Sequence, residues 1–363
     1  MTSPAVAETT VVALSGGVDS AVAASVLAER GYDLVAVMLR LRGGNQRSRP
    51  VPTSEAVDRA RRTCDQLHIP FRLIDAREVF HKQVVEPFIA QYAAGRTPNP
   101  CVRCNRFLRF GLLLDRALTM GAQALATGHY ARVRGHQGLH QLLRGEDPDR
   151  DQSYFLYQLT QDQLARVLFP LGELTKEAVR DYARRRGLPV SGQPSSQDIC
   201  FLARQDYRRF LADRAPHVFR PGPIRDTGGR VLGQHQGLPA YTIGQRKGLG
   251  ISAAEPLYVL AIRPEDNELI VGTAGQLDWD WCLVERMHVI DGQPAAHAFR
   301  ALAQIRYRAR PASVVVYPLT SRRARVVFDS PQRGIAPGQS LVLYDGDAVL
   351  GGGIICGAYD SML

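Results

Sequence analysis

The segment whose residue types most directly indicate chemistry is a glycine turn, Ser15–Ser20, with the sequence SGGVDS. It follows the apolar run Val11–Leu14 and precedes an alanine-rich helical stretch, Ala21–Arg30. A strand, a glycine turn and a helix start in this order direct backbone N–H groups and the positive end of a helix dipole at an anion. Asp19 is a carboxylate that could hold Mg²⁺ beside phosphates. Because the spacing matches neither G-x-x-x-x-G-K-[ST] nor G-x-G-x-x-G, it predicts a phosphate site of another type.

A second segment carries thiols. Cys101 and Cys104 form a C-x-x-C that follows Asn99-Pro100 and precedes a helical pattern, and Cys200 lies in a loop-like D-I-C-F. Thiols near a helix N-terminus and flanked by arginines are predicted to have a lowered pKa. Four interpretations of the pair are open: a zinc site, buried inert cysteines, a redox or persulfide thiol, and an iron–sulfur cluster on three cysteines. The remaining cysteines fall in helical or strand patterns and are predicted to lie in cores; they are Cys64, Cys282 and Cys356.

The composition predicts a multidomain protein with a polyanionic partner. The chain has 363 residues, of which 45% are hydrophobic, and this length exceeds the usual size of one hydrophobic core. Lys and Arg number 45 against 35 Asp and Glu, which gives a net charge of +10. Neither a long apolar span nor a secretory signal is visible, so we expect a cytoplasmic protein with no membrane partner.

Alternating apolar runs and helical patterns between about residues 9 and 130 predict an α/β domain. Strands are predicted at Val11–Leu14, Leu34–Leu39, Phe71–Ile74 and Ala122–Ala126, and helices at Ala21–Arg30, Ser54–His68, Glu78–Ala93 and Arg106–Met120. This alternation is typical of a parallel, doubly wound sheet that binds ligands at the carboxyl ends of its strands, where the glycine turn falls. A further helical stretch is predicted over Thr160–Arg186. We assign residues 1–216 to this domain.

Proline and glycine separate short segments beyond about residue 216. Residues 217–280 are predicted to form a small α+β central domain. Over residues 281–363, strand patterns separated by turn signals predict a small barrel or sandwich. The strands expected there are Ser313–Tyr317, Arg325–Phe328, Ser340–Tyr344 and Val349–Cys356.

The motifs resemble those of known enzymes. S-G-G-x-D-S resembles the pyrophosphate loop (PP-loop) of the ATP pyrophosphatase superfamily, which splits ATP between the α and β phosphates to adenylate a substrate. With N-P-C-x-x-C at 99–104 and D-I-C-F at 198–201, nearly the whole chain resembles the bacterial tRNA-specific 2-thiouridylases. Further matching segments are A-T-G-H-Y-A at 126–131, D-R-D-Q-S-Y-F-L at 149–156, Y-T-I-G-Q-R-K-G-L-G at 241–250, Arg306-Tyr307 and A-P-G-Q at 336–339.

The resemblance implies a fold and a role for each matching position. The implied fold is a parallel PP-loop ATPase sheet, a small α+β central domain and a C-terminal β-barrel that binds tRNA. The implied ATP contacts are Ala13, Leu14, Ser15, Gly16, Gly17, Val18, Asp19, Ser20, Met38 and Gly128. The implied contacts with the target base are Asn99, Pro100 and Cys101. The implied tRNA contacts are His129, Arg150, Asp151, Gln152, Arg306, Tyr307 and Gln339.

The resemblance further implies ATP-dependent thiolation of the wobble uridine of tRNA, with Mg²⁺ stabilising phosphate charge. Adenylation of the uridine O2 makes it a leaving group, and sulfur attack at C2 releases AMP. In the family's persulfide route, a cysteine desulfurase or sulfur-relay protein loads sulfur on Cys200. Cys104 then resolves the persulfide, which leaves a Cys104–Cys200 disulfide.

The chain departs from the commonest family pattern at one position. Many relatives have Asp where Cys101 stands, so the acid–base role proposed for that Asp is in doubt here. Relatives with the C-x-x-C form resemble enzymes proposed to hold a 4Fe–4S cluster, for which the ligands would be Cys101, Cys104 and Cys200. The persulfide and cluster routes use the same residues, and both are open.

Two other functions share part of the pattern. One is another PP-loop adenylating enzyme, such as a tRNA lysidine, 4-thiouridine or GMP synthetase, which would not predict the D-I-C-F cysteine together with the C-x-x-C pair. The other is a non-catalytic tRNA-binding protein, which would show neither ATP–pyrophosphate exchange nor AMP release.

Overall fold

The computed structural model describes residues 9–41, 54–192, 199–202 and 205–357, and the structural statements below concern these residues. The N-terminal domain is built on five strands: β1 (Thr9–Ala13), β2 (Asp33–Arg40), β3 (Phe71–Asp75), β4 (Ala124–Ala126) and β7 (Val167–Leu168). They form one sheet in the order β3-β2-β1-β4-β7, and all four pairings are parallel. The predicted parallel α/β sheet is therefore confirmed.

The helices of the described residues are α1 (Val18–Glu29), α2 (Ser54–Leu67), α3 (Arg77–Phe80), α4 (Glu86–Ala93), α5 (Pro100–Cys104), α6 (Leu114–Thr119), α7 (Gln161–Leu164), α8 (Lys176–Arg185) and α9 (Tyr207–Arg214). A π-helical segment, His81–Val85, joins α3 to α4, and a second one, Asn105–Leu113, joins α5 to α6. Residues 100–119 thus form one continuous helix. The C-x-x-C lies in its first turn rather than before it.

The single helical stretch predicted over Thr160–Arg186 is wrong. Only α7 and α8 are helical there, and Val167–Leu168 pairs with β4 as the edge strand of the sheet. Pro170 and Gly172 follow directly, and both residues disfavour a continuing helix. Tertiary pairing therefore overrides the local helical pattern.

The central domain contains four strands: β8 (Gly222–Arg225), β9 (Val231–His235), β10 (Tyr258–Arg263) and β11 (Glu268–Gly272). They form a sheet in the order β10-β11-β8-β9, with α9 just before it in the chain. Its core contains fully buried Ile224, Val259 and Leu269.

The C-terminal domain is a closed six-stranded barrel. Its strands are β12 (Asp278–Val289), β13 (Phe299–Gln304), β14 (Ala312–Thr320), β15 (Arg323–Arg333), β16 (Ser340–Asp345) and β17 (Ala348–Gly357). They are ordered β12-β15-β14-β13-β16-β17, and pairing of β12 with β17 closes the barrel. All four strands predicted from the sequence lie within these elements.

A hairpin of the N-terminal domain extends the barrel sheet. Its strands are β5 (Ala131–His136) and β6 (Leu139–Arg144), and β6 pairs with β17 through Leu143 and Ala348. The hairpin begins two residues after His129, so the barrel is joined directly to the end of β4. The sequence pattern did not predict this connection.

The barrel also contacts the chain just before the C-x-x-C. The N–H of Thr97 donates to the carbonyl of Pro337 at 2.7 Å, and Gln339 Nε2 donates to the Thr97 carbonyl at 3.1 Å. A Cβ on Gly338 would lie 2.9 Å from the Thr97 backbone, so only glycine fits there. These contacts fix the position of the chain just before the segment that carries Cys101 and Cys104.

Within the described ranges, no helix is both long and apolar enough to cross a bilayer.

Candidate functional site

The PP-loop, residues 15–20, has the geometry of an anion cradle. Gly16 has a positive φ of 73°, and a Cβ there would lie 2.4 Å from the Ala56 carbonyl oxygen on α2. Arg59 Nε, also on α2, donates to the Gly16 carbonyl at 3.0 Å. Ser20 Oγ accepts from the Ser15 N–H at 3.1 Å and lies within hydrogen-bond distance of the Gly17 carbonyl. The loop is therefore held in shape from both its ends and from α2.

The ends of the neighbouring strands β2 and β4 lie against the same loop. Gly17 is the N-cap of α1 and has no side chain to cap it, so the first-turn N–H groups can face an anion. The N–H of Leu14 donates to the Val37 carbonyl at 2.8 Å, which places Met38 beside the start of the loop. A Cβ on Gly128 would lie 2.8 Å from the carbonyl carbon of Asp19. The predicted ATP-contacting residues are thus brought together at one edge of the sheet.

Asp19 has two side-chain partners that the sequence pattern did not predict. Its Oδ1 accepts from the Tyr130 hydroxyl at 2.7 Å and forms an ion pair with Lys176 Nζ. A single carboxylate beside a phosphate cradle fits Mg²⁺, which binds one or two carboxylates together with substrate phosphates. No group of three acidic, histidine or cysteine side chains in the described part of the chain is arranged to hold a metal.

His129 and Arg109 connect the PP-loop region to the thiol segment. Arg109 Nη1 lies 3.0 Å from His129 Nε2, and Thr127 Oγ1 lies 2.7 Å from Nδ1 of the same ring. Burial and the Arg109 charge hold the pKa of His129 well below its usual range, so the ring is neutral and accepts from the guanidinium. His129 is only 5% exposed, and its predicted tRNA contact stays a prediction. The sequence pattern did not predict that Arg109 would lie between His129 and the thiols.

The three predicted thiols lie near one another. Asn99 caps α5 by accepting from the Val102 N–H at 3.4 Å, and Pro100 is the first helical residue. Cys101 is half-buried, Cys104 is buried and Cys200 is exposed; all are free thiols. Cys200 lies close enough to Cys101 and Cys104 to raise the pKa of both thiols, although it is about 100 positions away in sequence. Asp198 of the D-I-C-F motif lies outside the described residues.

The prediction of lowered thiol pKa values is wrong for Cys101 and Cys104. Burial, together with the neighbouring Cys200 and Cys104, raises the pKa of Cys101 to about 12. Burial raises the pKa of Cys104 to about 11, although the Arg109 charge lowers it. Desolvation of the thiolate outweighs the nearby arginine.

The reactivity of Cys104 is therefore expected to rise steeply with pH. Below the folded pKa, the thiolate fraction grows about tenfold per pH unit, so alkylation should accelerate from pH 7 to pH 10 without levelling off. Peptide mapping after timed alkylation measures this rate, and the unfolded chain is the control, with a plateau near the ordinary value of 9.0. A plateau below pH 9 in the folded protein would contradict this result.

The other cysteines have a structural setting. Cys64 and Cys282 are buried in cores as predicted. Cys356 is only half-buried, and its Sγ lies 3.3 Å from the Leu283 carbonyl.

Two of the predicted tRNA-contacting residues have clear structural partners. Asp151 is 7% exposed and accepts from the N–H groups of Gly145 and Ser153, both at 3.0 Å, and from Arg144 Nη1 at 3.1 Å. Gln152 Oε1 accepts from the Tyr130 N–H at 3.1 Å. Both residues therefore order the loop that presents Arg150.

The barrel residues approach the thiol segment. Tyr307 packs on Phe155 with ring centroids 4.4 Å apart, and Asn105 Nδ2 donates to the Phe155 carbonyl at 3.3 Å. Arg306 is exposed and donates to the Arg333 carbonyl at 3.2 Å. With Gln339 on Thr97, the barrel lies against the helix that carries Cys104.

Asp151→Ala is expected to lower the free energy of unfolding by about 3–5 kcal/mol, because Arg144 would lose its buried carboxylate partner. Arg150→Ala, one position away and half-buried, is the matched control and should change it by about 0.5 kcal/mol or less. Denaturant unfolding of both variants measures the difference. Equal stability of the two variants would contradict the structural role of Asp151.

A parallel α/β sheet with a PP-loop, joined to thiols and a barrel, defines an ATP-pyrophosphatase type of enzyme. Three family models match the chain: a tRNA methyl transferase HUP domain at residues 8–204, a tRNA methyl transferase PRC-barrel domain at 208–273 and an aminomethyltransferase beta-barrel domain at 279–355.

Two curated relatives are named tRNA-specific 2-thiouridylase MnmA. The protein of Moorella thermoacetica is 47% identical over 95% of this chain and 98% of its own length. The protein of Carboxydothermus hydrogenoformans is 46% identical over 95% of this chain and 96% of its own. The chain belongs to the tRNA-specific 2-thiouridylase family. A solved 4-thiouridine synthetase bound to RNA and ATP is 20% identical over 58% of this chain and 50% of its own, with a TM-score of 0.37, too low to carry functional information.

Proposed function

We propose that this protein is a tRNA-uridine 2-sulfurtransferase that converts the wobble uridine of tRNA to 2-thiouridine with ATP. One observation carries the proposal: the PP-loop and the three thiols are connected through Gly128, His129 and Arg109. An enzyme that activates and thiolates one base needs both groups within reach of it. We place the reaction in the cytoplasm, where thiols are kept reduced.

Adenylation is the first step. The uridine O2 attacks the α-phosphorus of ATP, the bond from that phosphorus to the bridging oxygen breaks, and pyrophosphate leaves with the electron pair. The PP-loop N–H groups and the start of α1 stabilise the phosphate charge. Mg²⁺, which Asp19 would hold, neutralises phosphate charge when bound. The base, unstacked from its neighbours, would face Asn99, Pro100 and Cys101.

Sulfur transfer is the second step. A persulfide on Cys200, loaded by a sulfur-donor protein, attacks C2 through its terminal sulfur, and AMP leaves with the former O2. The Cys104 thiol loses its proton to solvent and its thiolate attacks the Cys200 sulfur, which breaks the S–S bond and releases 2-thiouridine. The product is a Cys104–Cys200 disulfide, which an external dithiol must reduce. The exposure of Cys200 suits loading by a protein donor. The Arg109 charge partly offsets the burial that raises the pKa of Cys104.

We propose the persulfide route for the sulfur transfer. The protein ligands of a 4Fe–4S cluster would be the thiolates of Cys101, Cys104 and Cys200. Within the described ranges no group of three His, Cys, Asp or Glu side chains is placed to hold a metal ion, and we derive no step through a cluster. Cys101 then acts as a neutral thiol beside the base, because burial keeps it protonated.

The tRNA would lie across the barrel and the loop at Arg150. Exposed Arg306, half-buried Tyr307 and Gln339 lie on the barrel side of the thiol helix. A net charge of +10 supports binding of a polyanion whose affinity falls with salt.

The test is a reaction with ATP, Mg²⁺, a cysteine desulfurase with cysteine as the persulfide donor, a dithiol as reductant, and unmodified tRNA that carries a wobble uridine. We expect AMP, pyrophosphate and 2-thiouridine in equal amounts. The same tRNA with cytidine at the wobble position is the matched control and should give none of them. Absence of 2-thiouridine from the uridine tRNA, with both ligands bound, would reject the proposal.

A further inference from the structure

Lys176 is unusual in this chain because it is both a lysine and buried. Only three of the 45 Lys and Arg residues are lysines: Lys82, Lys176 and Lys247. Lys82 and Lys247 are exposed, whereas Lys176 is 6% exposed. In a chain that uses arginine almost everywhere else, a buried lysine indicates a position that needs a compact ammonium rather than a planar guanidinium.

The surroundings of Lys176 aim its ammonium at the PP-loop. Its Nζ forms an ion pair with Oδ1 of Asp19, the same oxygen to which the Tyr130 hydroxyl donates. Its backbone N–H donates to Asp147 Oδ2 at 2.8 Å, and Thr175 caps the helix that it begins. The backbone of Lys176 is therefore fixed, while its ammonium lies beside the phosphate cradle.

The balance of charge suits an incoming anion. Removing an ammonium from water is costly unless it is well paired. Its carboxylate partner, Asp19, has a side chain that is 36% exposed and stands in the first turn of α1. An ammonium has three donors, so it can bind phosphate oxygens while it keeps a hydrogen bond to Asp19. Asp19 therefore leaves part of its side chain accessible at the start of α1, while Lys176 is almost fully enclosed.

We propose that Lys176 is a catalytic residue of the adenylation step, whose ammonium binds the β-phosphate oxygens of ATP. This inference rests on the proposed function. As the bond between the α-phosphorus and the bridging oxygen breaks, negative charge collects on the departing pyrophosphate, and the ammonium stabilises it. Asp19 orients the ammonium before ATP binds.

Calorimetric titration of the full-length protein with inorganic pyrophosphate, and separately with AMP, tests this role without tRNA. Lys176→Gln is expected to weaken pyrophosphate binding at least about tenfold and to leave AMP binding within about twofold, because only the charged contact is lost. Lys82→Gln is the matched control and should bind both ligands normally. Unchanged pyrophosphate affinity, or an equal loss for both ligands, would overturn the proposal.

A second measurement uses the unaltered fold. With only three lysines, a protein labelled with ¹⁵N at Lys Nζ allows each ammonium to be followed by NMR, and Lys82→Gln and Lys247→Gln assign the signals by elimination. Pyrophosphate should shift the Lys176 signal alone, and an unmoved signal at saturation would overturn the proposal. Because neither experiment involves thiolation, a protein that binds pyrophosphate through Lys176 but makes no 2-thiouridine would contradict only the proposed function.

Discussion

Replacement of either Cys200 or Cys104 by serine is expected to lower 2-thiouridine formation by about 10³-fold or more, since each thiol makes or breaks a covalent bond in the proposed route. Cys200 is exposed, so the loss of one sulfur there should not disturb packing. Binding of ATP and of tRNA should stay within about twofold, because neither thiol lies in the phosphate cradle. Nucleoside analysis of the tRNA by mass spectrometry measures the product.

Cys356→Ser is the matched control for these variants. Cys356 is a half-buried free thiol of the barrel, and serine can keep its contact with the Leu283 carbonyl. The Cys356→Ser variant should form 2-thiouridine at the wild-type rate. Full activity of Cys200→Ser would contradict the persulfide route, and unfolding of Cys104→Ser in circular dichroism would assign that residue to structure instead.

Gly128→Ala is expected to weaken ATP binding by about 10–100-fold, the equivalent of 1–3 kcal/mol of overpacking. The added methyl would lie 2.8 Å from the Asp19 carbonyl carbon and 2.9 Å from the Ser20 nitrogen, so the start of α1 must shift away from the phosphates. Gly128 carries no positive φ, so the whole effect would come from contact rather than from backbone strain. Equilibrium titration with ATP measures it.

Gly135→Ala provides the control for this second variant. Gly135 lies in the hairpin that follows, and a Cβ there meets nothing within 4 Å. Its ATP affinity should equal that of the wild type. If Gly128→Ala bound ATP equally well, the end of β4 would not be part of the nucleotide site.

The local parts of the site could be predicted because each is a short, continuous pattern. The S-G-G-x-D-S loop implies its own strand, turn and helix. The C-x-x-C is predicted next to a helix start, which lies at Pro100, ahead of both thiols. The barrel strands follow from period-two patterns and turn residues. In each case neighbouring residues determine the backbone.

The rest depends on contacts between distant residues. The ion pair of Lys176 with Asp19 joins positions 157 apart, and no local pattern contains it. The thiol pKa values follow from burial, which is a property of the assembled fold, and so the flanking arginines alone predicted the wrong direction. Likewise, Val167–Leu168 forms a strand because it pairs with the free edge of β4. The composition did, however, single out lysine as a rare residue type in this arginine-rich chain, and Lys176 is the buried one of the three.

The fate of the oxygen at C2 tests the central claim most directly, because adenylation and thiolation of one base at one site require that oxygen to leave on AMP. The substrate is tRNA with ¹⁸O at C2 of the wobble uridine, and the products are read by mass spectrometry. The account predicts one ¹⁸O in AMP for each 2-thiouridine formed, with none in pyrophosphate. Unlabelled AMP alongside 2-thiouridine would contradict it.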